Sequence, residues 1–538
     1  MPDAVVIGAG HNGLVAANLL ADAGWQVVVC EEQDQPGGAV SSSDYLGPGY
    51  VADVCSAFYP MAAASPHIRG LGLEDYGLEW CHAPAVLAHP LPDGRAAILS
   101  RQIDQTAASL EALGQGDGDA WRRLYGLWKD VGHPLLDAML APFPPVMAGA
   151  RLAAHLRIAG GLRFARFSLL PVRHLAEEEF RGPGSLLLAG SALHTDLSPE
   201  SAASSTYGWL LAMLGQEVGF PVPRGGAGEL TAALVRRLES RGGQVLCHSA
   251  VRSVVVRRGR AVAVVTADGQ QMGARRAILA DVTAPQLYGG LVAWDHLPDR
   301  LHDDMRRFQW DFSTVKVDWA LRGHIPWSAP GVTGAGTVHL SDSMDEMTAY
   351  CADLAMGRVP SRPFVLLGQM TTSDSSRSPA GTEVVWAYTH VPRQVRGDAG
   401  EDGITGSWDE RDRQAIARRV EQRIERFAPG FTDRITARHI MTPPDLQAHN
   451  ANLVKGALIG GTSAVHQQMV FRPTPGLGRP GTPVRGLYLA SSSAHPGGAV
   501  HGACGANAAR AALRQEQGVG RLVTRPLGLA ARHLVSGY

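Results

Sequence analysis

Residues 4–8 run Ala-Val-Val-Ile-Gly without a polar interruption, the pattern of a strand covered on both faces rather than one with a wet side. A glycine-rich stretch, Gly8-Ala9-Gly10-His11-Asn12-Gly13, follows at once. Residues 14–23 then read as a helix, and residues 25–30 as a second apolar strand that ends at Glu31. Further along, residues 229–241 form an amphipathic helical pattern, and residues 244–246, 251–256, 262–266 and 276–279 read as short strands. Asp268-Gly269 supplies a hairpin turn signal among them. Residues 314–321 alternate, with Val315, Val317, Trp319 and Leu321 on one face, and residues 384–391 offer a partner strand. Neither an internal repeat nor a low-complexity linker breaks this order.

The opening of the chain is therefore strand, glycine turn, helix, strand and acid, and each residue type has a physical reason. Gly8 permits the tight turn, Gly10 lets backbone approach a pyrophosphate, and Gly13 lets the helix pack closely on the strand. The helix N-terminus offers unpaired N–H groups and the positive end of its dipole to phosphate oxygens. Glu31, about 20 residues beyond the turn, is positioned to accept hydrogen bonds from an adenosine ribose. Its charge disfavours a 2′-phosphate, and so NADP. Gly37 and Gly38 either bring a second loop against the same ligand or form an ordinary turn. After them the chain enters turn-rich sequence, Ser41-Ser42-Ser43-Asp44 and Gly47-Pro48-Gly49. An NAD dehydrogenase would continue there with regular βα units, so the pattern favours FAD.

Composition narrows the class. A chain of 538 residues exceeds one compact core and predicts two or three domains. With 45% apolar and 18% charged residues it is globular rather than disordered. The net charge of −1 gives no electrostatic case for nucleic acid as a partner. Cys30, Cys55, Cys81, Cys247, Cys351 and Cys504 make no CxxC or CxxxxC pair, so no zinc knuckle or redox disulfide is written in their spacing, and no metal site is expected. A reducing compartment is the simplest reading. No basic and apolar leader precedes the first strand, and no run approaches the ~18 apolar residues of a membrane span; a cytoplasmic location is expected.

The segment GAGHNGLVAANLLADAGWQVVVCEEQDQPGGA resembles the phytoene-desaturase-like branch of the flavin amine oxidase superfamily, which includes the pyridine nucleotide-disulfide oxidoreductase domain-containing proteins. The resemblance continues from Gly486-Leu487-Tyr488-Leu489 through Ser491-Ser492-Ser493-Ala494-His495-Pro496-Gly497-Gly498-Ala499-Val500 to His501-Gly502-Ala503-Cys504-Gly505. It also covers Pro221-Val222-Pro223-Arg224-Gly225-Gly226-Ala227-Gly228, and so spans nearly the whole chain. It implies an α/β fold: a Rossmann-type FAD-binding domain on a parallel sheet, with an inserted α+β substrate domain. By position, Gly8, Gly10, Gly13, Glu31, Gly37 and Gly38 would bind FAD, with the backbone of Val251 at the adenine edge. Ser492, His495, Gly498, Ala499 and Val500 would lie along the ribityl chain and flavin ring. Superfamily members often carry an acid where Ser492 stands, and a serine hydroxyl bonds a ribityl hydroxyl more weakly than a carboxylate does. A helix N-terminus entered through Gly497-Gly498 would stabilise the negative charge of a reduced flavin; otherwise the motif is a strand-to-helix turn without a ligand. Only one strand–glycine–helix unit is present, so disulfide reduction, which needs a second such unit and a cysteine pair, is not expected.

These motifs divide the chain into FAD-domain segments 1–59, 221–290 and 475–516, a substrate domain of 60–220 (a helical cap) and 291–474, and a tail, 517–538. The expected activity is that of an FAD-dependent oxidoreductase, a desaturase or amine-oxidase-like enzyme that moves a hydride from a C–H of an apolar or amine substrate to flavin N5. Lys316 and His495 are the catalytic candidates, with Tyr59 as a further pocket residue. In related amine oxidases a buried lysine near N5 activates water, whereas a lysine on an alternating strand more often points outward. His495 reads as a residue that positions backbone rather than as a base. A flavin-dependent saturase or isomerase, and a non-catalytic lipid carrier of the Rab-escort type, are the alternatives. Between Asp137 and Glu177 there is no acid, while Arg151, Arg157, Arg163, Arg166 and Arg173 stand among apolar residues. Residues 138–176 thus read as a peripheral membrane contact or lid, or, preferably, as a helical cap with snorkelling arginines.

Overall fold

The computed structural model describes residues 1–516; residues 517–538, assigned above to a tail, and the side chains of residues 157–159, including that of Arg157, lie outside the described residues. The first sheet has five strands in the order Leu487–Leu489, Ala277–Ala280, Ala4–Ile7, Val27–Cys30 and Gln244–Leu246, every neighbouring pair parallel. Both of its faces are covered, which is why its strands read as continuous apolar runs. Ala4, Val6, Val27 and Val29 turn toward the helices His11–Asp22, Ala227–Ser240 and Ala503–Glu516. Val5, Ile7 and Ile278 turn the other way, onto Val254 and Val264 of a three-stranded antiparallel sheet. That sheet comprises Val251–Arg257, Arg260–Thr266 and Gln271–Gly273, with Asp268-Gly269 at its second turn. Each apolar side chain buried this way stabilises the fold by roughly 1.5–3 kcal/mol.

The second sheet has seven strands in the order Ile435–Met441, Ser313–Arg322, Thr382–Val391, Val365–Gln369, Ala335–Leu340, Ala85–Pro90 and Ala96–Leu99. Its neighbours are antiparallel except where Ala335–Leu340 meets Ala85–Pro90. The chain is thus mixed α/β, a parallel dinucleotide-type sheet joined to a mixed-sheet substrate domain. Val315, Val317, Trp319 and Leu321 pack beneath helix Glu410–Glu425 through Ile416, Val420 and Ile424. The opposite face is not open to water either, since Leu46, Ala52 and Ala57 close over Ala320, Val384 and Trp386. For that reason the outward reading of Lys316 does not hold: the side chain is 3% exposed.

Residues 138–176 fall on the end of helix Asp117–Leu140, on Val146–Leu169 and on the start of Val172–Glu179. Phe164 and Phe167 pack edge-on against buried Trp209, Arg166 pairs with Glu178, and Arg173 pairs with Glu200 and Asp345. These helices pack on helix Ser204–Glu217, while Val146, Met147, Leu162 and Leu169 remain exposed. Among the described residues no helix is long and apolar enough to cross a membrane.

Candidate functional site

Gly8 ends the first strand at φ +91°, in the region that favours glycine. A methyl group on Gly13 would stand 2.2 Å from the Gly8 carbonyl oxygen, so the close helix–strand approach requires a glycine there. Gly37 N–H donates to the Ala9 carbonyl at 3.0 Å, and a methyl on Gly38 would stand 3.7 Å from Gly10 Cα. The two glycine loops are therefore in contact. Glu31 lies at the same turn: its Oε2 accepts from Ala9 N–H at 2.7 Å and its Oε1 from Gln33 N–H at 3.0 Å. Each oxygen keeps a second lone pair. Ser249 N–H donates to the Glu31 carbonyl at 2.7 Å, which brings half-buried Val251, two residues on, toward the Glu31 turn.

The C-terminal motif approaches from the other side. Ala490 N–H extends the parallel ladder by donating to the Ala280 carbonyl at 2.8 Å. Helix Ala503–Glu516 then packs on helix His11–Asp22 so closely that a methyl on Gly505 would stand 1.9 Å from the Asn12 carbonyl oxygen. That contact lies in the first turn of both helices, so two helix N-termini converge. Neither first turn holds an acid of its own; in His11–Asp22 the Gly13 N–H is taken by Asp281, and the His11 and Asn12 N–H groups are left for an anion. Between strand and helix, Ala499 adopts φ +108°, Val500 packs with the first-helix core, and Gly498 leaves no room for a side chain beside Ile459. The Ser492 carbonyl is gripped by Arg472, at 3.0 Å from Nε and 2.8 Å from Nη2. Buried Arg472 also donates to the Ile459 and Thr462 carbonyls at 2.9 Å.

The three residues singled out for catalysis or the pocket have different settings. His495 Nε2 lies 3.1 Å from the Ala141 carbonyl; a carbonyl only accepts, so this nitrogen carries the proton. Burial lowers its pKa to about 4, as it does for His11 and His67, and lowers His501 to about 3, so all four are neutral near pH 7. Tyr59 does not face a pocket: it is 1% exposed in the first-helix core. Its hydroxyl turns back onto the Ser56 carbonyl at 2.8 Å and the Ser56 hydroxyl at 2.9 Å. Lys316 pairs with buried Asp318, whose pKa burial raises against the opposing pull of Lys316. The Tyr45 hydroxyl donates to Asp318 at 3.0 Å and accepts from Lys316 Nζ at 3.3 Å. Cys55 lies in the same cluster, its thiol pushed by burial up to about 12.

Lys316 shares its face of the sheet with an aromatic row. Lys316 stands opposite Tyr388 and Asp318 opposite Trp386, with Thr314 opposite His390. Trp386 and Tyr388 stack at 5.7 Å, Tyr388 meets His390 at 5.6 Å, and Phe58 leans on Trp386 at 6.1 Å. The Phe58 segment is bonded to the second glycine loop, Val54 N–H to the Ser41 carbonyl at 2.9 Å and Ser56 N–H to the Ala39 carbonyl at 3.1 Å.

Sequence reasoning missed several residues that gather here. Asp281 Oδ2 accepts from Gly13 N–H at 2.8 Å; its signal was an acid directly after an apolar strand. Asn452 donates to the Asp281 carbonyl at 2.9 Å, and His449 Nε2 lies 3.3 Å from the Gly38 carbonyl. Both come from residues 291–474, and nothing in their local sequence, or in that of Arg472, distinguishes them.

A parallel sheet of the dinucleotide-binding type is completed by strand Leu487–Leu489 from late in the chain, and a second, mixed sheet is set against its glycine loops. The pattern of the flavin containing amine oxidoreductase family matches residues 13–308, more than half of the chain, and the chain belongs to that family of enzymes. It is 28% identical over 560 residues to pyridine nucleotide-disulfide oxidoreductase domain-containing protein 2 of Mus musculus, covering 95% of this chain and 93% of that one. It is 24% identical over 551 residues to one of the subunits of limonene dehydrogenase from Castellaniella defragrans, covering 97% and 96%. Among solved structures, putrescine oxidase bound to putrescine shares the fold with a TM-score of 0.61 at 16% identity, over 96% of this chain and 99% of that one.

Proposed function

We propose that this chain binds FAD and dehydrogenates a small apolar or amine substrate at a C–H bond. The residues suit the cofactor: two glycine loops touch, and two helix N-termini with no acid of their own in the first turn converge beside them. Gly8, Gly10 and Gly13 would hold the pyrophosphate, Glu31 and Val251 the adenosine, and Gly37, Gly38, Ser492, Gly498, Ala499 and Val500 the ribityl chain and ring. Bound there, flavin supplies a two-electron hydride acceptor.

The protein's own residues orient the donor and keep water out. Half-buried Phe58 and Tyr388 offer an apolar wall backed by buried Trp386, and the Lys316–Asp318 pair lies beside it. Lys316 is engaged by the Asp318 carboxyl and the Tyr45 hydroxyl, which fix where its amine points. His495 fixes the C-terminal motif to the end of helix Asp117–Leu140 and acts through position. The observation that carries this reading is the bonding of Val54 and Ser56 to residues 39–41 with Phe58 against Trp386, because it joins the cofactor loop to the aromatic face. The likeness to limonene dehydrogenase supports a hydrocarbon donor.

Anaerobic mixing of the flavin-loaded protein with polyenes, terpenes and amines tests it. Bleaching of the flavin by at least one class is expected. If none bleaches it while a chemical reductant does, dehydrogenation of those classes is wrong.

A further inference from the structure

The centre of the phosphate cradle is occupied by a carboxyl, that of Asp281. It directly follows strand Ala277–Ala280, whose parallel register sets Ala280 opposite Ile7 and so carries Asp281 over the glycine turn. Its Oδ2 takes the Gly13 N–H. All three glycines close around it: a methyl on Gly8 would stand 2.9 Å from the Asp281 carbonyl oxygen, one on Gly10 2.7 Å from Oδ2, and one on Gly13 3.2 Å from Cβ and Oδ2. The residue is 6% exposed. The glycine pattern that admits a pyrophosphate is thus also the pattern that admits this carboxyl.

Its surroundings are short of positive charge. Beyond strand Val27–Cys30 stands Glu31, whose charge acts on Asp281 with the same sign. Helix Ala503–Glu516 contributes the Cys504 thiol, helix His11–Asp22 the Gly13 N–H and neutral His11, and residues 450–452 the Asn452 amide, which meets only the Asp281 backbone. Burial first, then Glu31, outweigh the Gly13 hydrogen bond and push the carboxyl up to about 7. A diphosphate docked on the free N–H groups of this turn brings more negative charge to the same spot.

We propose that Asp281 is a cofactor-binding residue that takes up a proton as the cofactor enters, so that a carboxylic acid rather than a carboxylate meets the phosphates. The proton comes from solvent and goes to Oδ1, the oxygen not engaged by Gly13; no other bond changes. The O–H then donates to a phosphate oxygen, which a carboxylate cannot do. This inference rests on the FAD reading above.

The test is titration of full-length apoprotein with FAD, followed by quenching of flavin fluorescence, from about pH 6 to about pH 9 across the neutral range of this carboxyl. Wild type and Asp281→Asn are compared, and proton uptake is measured by calorimetry in two buffers of different ionisation enthalpy. Wild-type affinity should be level below pH 7 and fall by about tenfold per pH unit above it. Asp281→Asn, which still accepts from Gly13 but cannot ionise, should lose that slope and take up no proton. Equal slopes in the two proteins, or a wild type that binds FAD without proton uptake above pH 7, would overturn the inference and leave the cofactor reading intact. Where Asp281→Asn fails to fold, wild-type proton uptake decides. Failure of the wild type to bind FAD at any pH overturns the cofactor reading itself.

Discussion

Lys316 and Asp318 carry opposite charges into a place where neither meets water, at 3% and 0% exposure. A buried pair of this kind resists the loss of one partner far more than the loss of both, because the survivor is left charged and unsolvated. Asp318→Asn should therefore destabilise the fold by about 3–5 kcal/mol, while Lys316→Met combined with Asp318→Leu should recover most of that loss; urea unfolding measures both. A double variant as unstable as the single one would mean that something other than charge pairing is at stake. Asp281 makes a prediction of opposite kind. Its folded pKa of about 7 exceeds the ordinary 3.8, so the fold favours the protonated form. That stabilisation is complete below about pH 4 and lost as pH rises toward 7. Apo Asp281→Asn should accordingly gain on apo wild type between about pH 6 and pH 8, by about 1.4 kcal/mol, in thermal unfolding. A constant gap across that range would contradict it.

At the scale of elements, the site depends on helices His11–Asp22 and Ala503–Glu516 keeping their first turns together. Gly505→Val would force Asn12 and its turn away, and the N–H groups of the two helices would no longer share a groove. FAD affinity should fall at least about tenfold, the cost of roughly 1.4 kcal/mol of lost contact, while the seven-stranded sheet keeps its near-UV dichroism. Unchanged affinity would separate the two helix ends from cofactor binding. The same elements explain what could be read in advance. Strand, turn and helix over residues 4–31 were legible because burial on both faces leaves an unbroken apolar run, and because the steric need for Gly8, Gly10 and Gly13 is local. The alternation of residues 314–321 revealed one apolar face correctly, but no periodicity tells what covers the other. Here residues 45–58 do so, and Lys316 is buried instead of solvated. Tyr59 misled for a similar reason: an aromatic after a turn-rich stretch has no local mark of whether it lines a pocket or a core. Asp281, Asn452 and Arg472 act through contacts that only the folded chain creates.

At the scale of the whole molecule, burial keeps many histidines neutral. His11, His67, His89, His390 and His495 are held at about 4, and His194 and His501 at about 3, against 6.5 in the unfolded chain. A depressed histidine favours the fold above its unfolded value, and that contribution disappears as pH falls from 6.5 toward the folded value. All act in the same direction, so the ~5–15 kcal/mol that holds an ordinary domain folded is eroded from several places at once as pH falls. The tertiary tryptophan fluorescence should therefore be lost between about pH 6 and pH 4. Retention of it at pH 4 would mean that these imidazoles are better solvated than their burial implies.

The glycine turn and residues 487–505 come together, and FAD is the ligand proposed to bind where they meet. Flavin content of the purified protein tests this most directly: released by denaturation, separated by chromatography and compared with protein concentration, it should be FAD at close to one per chain. A colourless protein that takes up no added FAD would contradict it.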